Sequence, residues 1–200
     1  MRLAKQIGED DTRCYSRKIG TVLVRVYDDG AGKIVGTGYN SPPRNTPHTD
    51  DREYLEKIFW GQLTPDEKLT ATCNSGVVYL DYAQQQDADM CKVVCDKLEN
   101  SKTCPRKIIG AKSGTRLECC SCAHSESNAI VNASDDLYGT YMFCYCPIPC
   151  QECSKLIINA GIKKVFCVKA EQDYSYGSRW LLEAADIEVI EHSADYYLGD

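Results

Sequence analysis

The chain predicts an α/β fold in three layers, α/β/α, with helices on both faces of a mixed sheet of about five strands. Three observations carry this. A Val-rich hairpin stands near the start, and helices and strands alternate regularly from residue 126 onward. Between them, at about 50–118, lies a stretch with helical periodicity and no such alternation, which reads as a helical insertion. Two hundred residues suit a single domain, 1–200, that carries the insertion.

Each element has its own signal. Arg2 to Asp11 spaces Leu3, Ala4 and Ile7 as a short helix does. Thr21-Val-Leu-Val-Arg-Val-Tyr27 is β-branched, Asp28-Asp29-Gly30 is a turn, and Lys33 to Tyr39 returns as the second strand of a hairpin. Asn40 to Pro47 is a proline-rich loop. Within the insertion, Asp51 to Trp60 and Asp87 to Leu98 have helical spacing. Thr64-Pro65-Asp66-Glu67 is a helix start, with Thr as N-cap and Pro at the first position. Glu126 to Ala133 then predicts a helix, Gly139 to Cys146 a strand, and Cys150 to Ala160 a helix ending at Gly161. Lys163 to Val168 predicts a strand, Ser178 to Ala185 a helix, and Ile187 to Ile190 a final strand.

Composition narrows the function classes. With 43% apolar and 26% charged residues the chain is an ordinary globular protein. No apolar run approaches a membrane span, and the opening segment lacks a signal-peptide core, so the expectation is a cytoplasmic protein without a membrane partner. A net charge of −6 without a basic block argues against duplex nucleic acid as partner. A mononucleotide needs only one or two local cations. Thirteen cysteines, an odd number, fit a disulfide framework poorly in that compartment. Clustered cysteines are better explained by metal binding, and scattered ones such as Cys144, Cys146 and Cys167 by small buried thiols.

The chemistry concentrates in His124-Ser125-Glu126 and Pro149-Cys150-Gln151-Glu152-Cys153. One His and two Cys hold a zinc ion and leave a fourth position open for water. Zinc in such a site lowers the pKa of that water to about 7. Glu126 is not needed as a ligand, so it is free to move protons as the catalytic residue. The pattern H-x-E…P-C-x-x-C is the known signature of zinc nucleobase deaminases, in which hydroxide attacks C4 of cytosine or C6 of adenine. The two-residue spacer between Cys150 and Cys153 suits one helix N-terminus, whose dipole favours thiolates. The alternative is a closed four-ligand structural zinc with Glu126 at the surface. Pro149 before Cys150, Glu126 after His124, and the strand-to-helix placement of both halves argue against it.

The chain resembles the cytidine/deoxycytidylate deaminase superfamily over residues 1–45 and 119–192, most closely its phage-type deoxycytidylate (dCMP) deaminases. The resemblance rests on Cys14-Tyr-Ser-Arg-Lys-Ile-Gly20, on Gly36-Thr-Gly-Tyr-Asn40-Ser-Pro-Pro43, on His124-Ser-Glu-Ser-Asn128-Ala129-Ile130 and on Gly161-Ile-Lys-Lys-Val165. It implies a cytidine-deaminase-like fold, one catalytic Zn2+, hydrolysis of dCMP to dUMP and ammonia for thymidylate synthesis, and a homo-oligomer, often a hexamer. A viral source, and hence a host cytoplasm, fits it. Other readings are a deaminase of dCTP or cytidine, a tRNA or single-strand polynucleotide deaminase, and an inactive zinc-stabilised interaction module. The polynucleotide reading needs a basic channel with stacking aromatics, which the acidic charge disfavours.

By the same resemblance Asn40 binds the nucleotide sugar, for which a short amide offers both donor and acceptor. Asn40 also suits a plain turn after a strand. Tyr174, Tyr176 and Trp180 are candidates to pack near the base, or simply core or surface residues. Ser125 stands where the family has alanine, and its hydroxyl could touch the base. Ser41 replaces a glycine linked in the family to regulation by dCTP and dTTP. Arg44 is the first candidate for the phosphate and Lys18 the second, with Arg17 and Arg116 also near the expected pocket.

Some phage relatives carry a second, structural zinc. The matching regions here offer Cys14, His48 and two of Cys119, Cys120 and Cys122. Cys119 and Cys122 have zinc-ligand spacing, which favours Cys14, His48, Cys119 and Cys122. Cys73, Cys91, Cys95 and Cys104 read as small residues of a helical patch rather than another site, and His192 as a surface residue.

Overall fold

The structure, a computed structural model, describes residues 1–46, 70–74, 77–81, 104, 106, 120–170 and 176–199. They belong to two compact units. The first comprises Met1–Thr12, Arg17–Ser41 and Ala123–Asp200, and the second Arg13–Ser16 and Pro42–Cys122.

The first unit is built on a mixed sheet. Strands β1 (Gly20–Val26) and β2 (Gly32–Tyr39) form the expected antiparallel hairpin. Strand β5 (Tyr141–Cys144) pairs antiparallel with β1, and β6 (Lys164–Val168) and β7 (Glu188–His192) follow in parallel, giving the order β2-β1-β5-β6-β7. The parallel half comes from crossovers through helices, as the alternation after residue 126 requires. A register shift between Leu23 and Val24 marks a bulge in the hairpin, and the residue it accommodates, Val35, is buried in the core.

Helix α1 (Arg2–Asp11) and helix α2 (Ser125–Val131) lie on opposite faces of this sheet. Gly20 of β1 meets the Ala4 backbone of α1 so closely that a Cβ would collide with it. The next residue, Thr21, is opposite Gly38 of β2, and a Cβ at Gly38 would strike the backbone of Ser125 and Ala129 in α2. Successive strand residues face opposite sides, so the two contacts define two layers of helix with the sheet between. Helix α3 (Gln151–Asn159) ends before Gly161 at φ +71, and helix α4 (Tyr176–Ala184) leads into β7. The core between sheet and helices includes Leu23, Val35, Ala129, Met142, Cys144, Ile157, Val165, Cys167 and Leu182. Cys144 and Cys167 are thus the small buried thiols the strand pattern suggested. Cys146 is buried too, but two residues past the end of β5.

Three elements escape the sequence reading, one helix and a pair of strands. Helix α5 (Ala194–Leu198) follows β7, with Ser193 accepting a hydrogen bond from the Tyr196 N–H and Gly199 in the left-handed conformation. His192, read as a surface residue, is half-buried and stacks on Tyr196 at 3.8 Å between ring centroids. In the second unit, β3 (Thr70–Asn74) and β4 (Val77–Asp81) pair antiparallel where only helices were expected. Their signal was present: two runs rich in Thr and Val flank Ser75-Gly76. The helices expected at 51–60 and 87–98 and the start at Thr64 lie outside the described residues.

Candidate active site

Two helix N-termini bring the site together. His124 is the N-cap of α2, with extended backbone (φ −74, ψ 154), and Cys150 is the N-cap of α3 (φ −65, ψ 166). Neither side chain caps its own helix. They turn toward one another instead: His124 Nδ1 lies 3.4 Å from Cys150 Sγ and 3.5 Å from Cys153 Sγ. All three ligand atoms fall within 4.8 Å of one another. A tetrahedral zinc with Zn–N of about 2.0–2.1 Å and Zn–S of about 2.3 Å separates N from S by about 3.5 Å. The donor set and its spacing therefore fit zinc bound through Nδ1 and two thiolates. Cys153 is buried, whereas His124 and Cys150 are exposed.

The thiols are disposed for metal. The Cys150 pKa is drawn down to about 4, first by the hydrogen bond from Cys153 and then, against the cost of burial, by His124. Cys153, which gives that bond, is pushed up by it and by burial. The free N–H groups at the start of α3 add to the preference for negative sulfur.

With its own N-cap side chain directed to the metal site, α2 needs another acceptor for its first N–H groups. Asn40 supplies it from the end of β2: its Oδ1 accepts from the Ser125 N–H at 2.8 Å, and its Nδ2 donates to the Arg17 carbonyl at 3.4 Å. Asn40 is buried. Asn128 Nδ2 adds a second tie, to the Tyr39 carbonyl at 2.8 Å. Ser41 forms an isolated bridge with Ala123.

Glu126, in the first turn of α2, is buried with 4% of its surface exposed. Burial raises its pKa, partly offset by hydrogen bonds from its own backbone and from Ser125 and by the charge of His124. Such a carboxyl takes up a proton more readily than a surface one, which suits a group that must accept and return protons. Ser125 Oγ donates to Glu126 Oε2 at 2.9 Å and lies 2.8 Å from Thr21 Oγ1. Cys146 Sγ is 4.0 Å from Glu126 Oε1. Sequence reasoning missed Thr21, which stands over a hundred residues before Ser125, and took Cys146, four residues before Cys150, only for a small buried thiol, because what it faces is decided by packing. Ser125, expected to alter contacts to the base, has a fully buried side chain directed to Glu126 and Thr21.

The remaining candidates are placed as follows. Lys18, Arg17 and Arg44 are exposed, as are Tyr176, the first residue of α4, and Trp180. Tyr174, Arg116, His48, Cys119, Cys91 and Cys95 lie outside the described residues, and Cys104 is buried. In the second unit the Cys122 thiol is in hydrogen-bond contact with both Cys120 and Cys14. Cys14 and Cys122 are therefore together as expected, with Cys120 as their described neighbour. The bond from Cys122 lowers the Cys120 pKa to about 6, and Cys122 is correspondingly raised.

Comparison with known proteins agrees with this geometry. The family described as the cytidine and deoxycytidylate deaminase zinc-binding region matches residues 1–169. The chain is 25% identical over 179 residues to a deoxycytidylate deaminase of Schizosaccharomyces pombe, covering 89% of this chain and 38% of that protein. It is 26% identical over 166 residues to a deoxycytidylate deaminase of Saccharomyces cerevisiae, covering 82% and 35%. The chain thus spans little more than a third of the length of these curated relatives. The fold is similar to a crystal structure of dCMP deaminase from the cyanophage S-TIM5 in complex with dCMP and dUMP. There the TM-score is 0.52 and the identity 18%, over 96% of this chain and 92% of that one. A family match over residues 1–169, a span that includes the side chains already at zinc spacing, makes the chain a member of the cytidine and deoxycytidylate deaminase family.

Proposed function

We propose that the protein is a zinc-dependent dCMP aminohydrolase, converting dCMP and water to dUMP and ammonia and so supplying dUMP for thymidylate synthesis. The observation that carries the chemistry is the triad of His124, Cys150 and Cys153 with a buried Glu126 two residues along the same segment as the histidine. Zinc held by the triad supplies Lewis acidity and makes water a nucleophile at neutral pH. Glu126 accepts one proton of the attacking water and passes it to the ring nitrogen beside the reacting carbon; it then takes the second proton from the hydroxyl so added to that carbon, which becomes the carbonyl, and gives it to the departing amine. The choice of dCMP leans on the deoxycytidylate deaminases of two yeasts and on the cyanophage structure with dCMP and dUMP.

The same proposal assigns the sugar to Asn40, whose Nδ2 has a second proton beyond its bond to Arg17. It assigns the phosphate to Arg44 or Lys18, and a place near the base to Tyr174 or Tyr176. A second, structural zinc held by Cys14, His48, Cys119 and Cys122 belongs to the same proposal, supported by the contact between the Cys14 and Cys122 thiols. A homo-oligomer, with a hexamer as the form the resemblance implies, belongs to the same reading.

Ammonia release by zinc-loaded protein on dCMP, dCTP, deoxycytidine and a short cytosine-containing oligonucleotide tests it. Turnover of dCMP is expected, with Glu126→Gln lowering kcat by roughly 10²–10⁴-fold while zinc content is unchanged. Turnover of a different member moves the substrate. Full activity in Glu126→Gln removes the mechanism.

A further inference from the structure

We propose that Ser125 is a positioning residue whose hydroxyl, backed by Thr21, holds one carboxylate oxygen of Glu126 so that the other is left for proton transfer. The inference rests on the assignment of Glu126 as the proton carrier. Its observation is a buried chain of short contacts. Thr21 Oγ1 is 2.8 Å from Ser125 Oγ, which donates to Glu126 Oε2 at 2.9 Å, and Thr21 and Ser125 are both 0% exposed.

Proton counting gives the chain a direction. Each hydroxyl has a single proton. If Ser125 gives its proton to Oε2, the 2.8 Å contact is a hydrogen bond only if Thr21 gives its proton to Ser125 Oγ. Thr21 Oγ1 can also donate to Cys144 Sγ, 3.5 Å away in the neighbouring strand, so its single proton has two acceptors in reach, and the shorter 2.8 Å contact to the Ser125 oxygen is the stronger. Two hydroxyls are thereby aligned toward one carboxylate oxygen in a site from which water is excluded, where a bond to an ionised group is strongest. The backbone keeps the donor in place: the Ser125 N–H is fixed by Asn40 Oδ1 at 2.8 Å, and Thr21 sits in the middle of the sheet, between β2 and β5. Glu126 Oε1 has no such hydroxyl. Cys146 Sγ lies 4.0 Å from it. The Glu126 N–H also bonds its own carboxyl, so the two oxygens differ in that only Oε2 is held by a side-chain hydroxyl among the described residues.

An alanine at 125 would leave the backbone contacts intact and remove the anchor. A positioning role predicts a loss in kcat with little change in KM, because the hydroxyl is buried away from solvent. A purely structural role predicts a loss of folded protein, or equal losses in independent variants.

The experiment is steady-state kinetics on dCMP for the zinc-loaded wild type, Ser125→Ala, Thr21→Val, the double variant and Glu126→Gln, each checked for zinc content and thermal melting. Ser125→Ala is expected to lower kcat by roughly 10–100-fold with KM within about twofold. Thr21→Val, nearly the same shape as Thr and one residue further from the carboxylate, is expected to give a smaller fall. The double variant should be no worse than Ser125→Ala alone, since both act through one bond. Wild-type kcat in Ser125→Ala beside an inactive Glu126→Gln overturns this inference and leaves the proposed function standing. So do additive losses, or a change confined to KM. Should Ser125→Ala fail to fold, wild-type kcat in Thr21→Val overturns it equally. An active Glu126→Gln, or a wild type that does not turn over dCMP, instead removes the reading on which it rests.

Discussion

At the scale of the residue, the site depends on a division of labour between His124 and Asn40. A helix needs an acceptor at its N-terminus, and the residue in the N-cap position usually provides it. His124 occupies that position in α2 but directs its imidazole toward the two cysteine sulfurs. Asn40 accepts the Ser125 N–H instead. Replacing Asn40 by Ala leaves that buried N–H without a partner, and the expected cost is about 1–3 kcal/mol of folding stability. Asn40→Asp keeps the acceptor and should recover most of it, although it exchanges the donor to the Arg17 carbonyl for a second acceptor. Urea denaturation of the two variants, compared at equal zinc loading, measures the difference. A cost below about 0.5 kcal/mol for Asn40→Ala would show that the helix does not rely on this amide.

At the scale of the element, the position of Glu126 is set by how closely α2 lies on the hairpin. Gly36 and Gly38 of β2 both face Ala129, which is 0% exposed, and the backbones meet with no room for a Cβ at Gly38. Gly38→Ala must therefore move α2 away from the sheet or strain the strand. Overpacking of this kind costs about 1–3 kcal/mol, and more where backbone blocks backbone. The movement is shared by the N-terminal end of the helix, which carries His124 and Glu126. Gly38→Ala is accordingly expected to lower thermal stability and deaminase activity together. An equal change at Gly30, a turn glycine with φ +81 and no neighbour within 4 Å of an added Cβ, should lower stability without a loss of kcat. Side-by-side melting curves and kcat values test the contrast.

At the scale of the whole molecule, a zinc held by His124, Cys150 and Cys153 would join helices that are distant in sequence. His124 belongs to α2 and the two cysteines to α3, with β5 between them in the chain. Zinc bound only by the folded protein stabilises it by mass action, about 4 kcal/mol when free zinc exceeds the Kd a thousandfold. For a chain of this length that corresponds to roughly 10 °C in Tm. Chelation should lower Tm by about this amount in the wild type. In Cys150→Ser chelation should remove less, because that variant has already lost one thiolate ligand. An unchanged Tm after verified zinc removal would show that the core, with Leu23, Met142, Ile157 and Leu182 wholly buried, fixes the site without the ion.

Sequence alone was sufficient where the relevant interactions are local. The hairpin, the alternation after residue 126 and the pattern of one His and two Cys are read from neighbours along the chain, and the elements they predict in the first unit are present within a few residues of their expected ends. Cys150 and Cys153 share one helix end by spacing alone. The β3–β4 pair was legible but outweighed by the helical periodicity around it, and α5 was too short to show a period. The tertiary structure decided everything that joins distant segments. Asn40 reaches Ser125 across 85 positions, Thr21 reaches Ser125 across 104, and Cys14 meets Cys122. Residue type announces that these side chains can bond, but only the packing of helix on sheet selects the partner. That is why a zinc-type donor set was legible from the sequence, while the contacts that hold Glu126 required the fold.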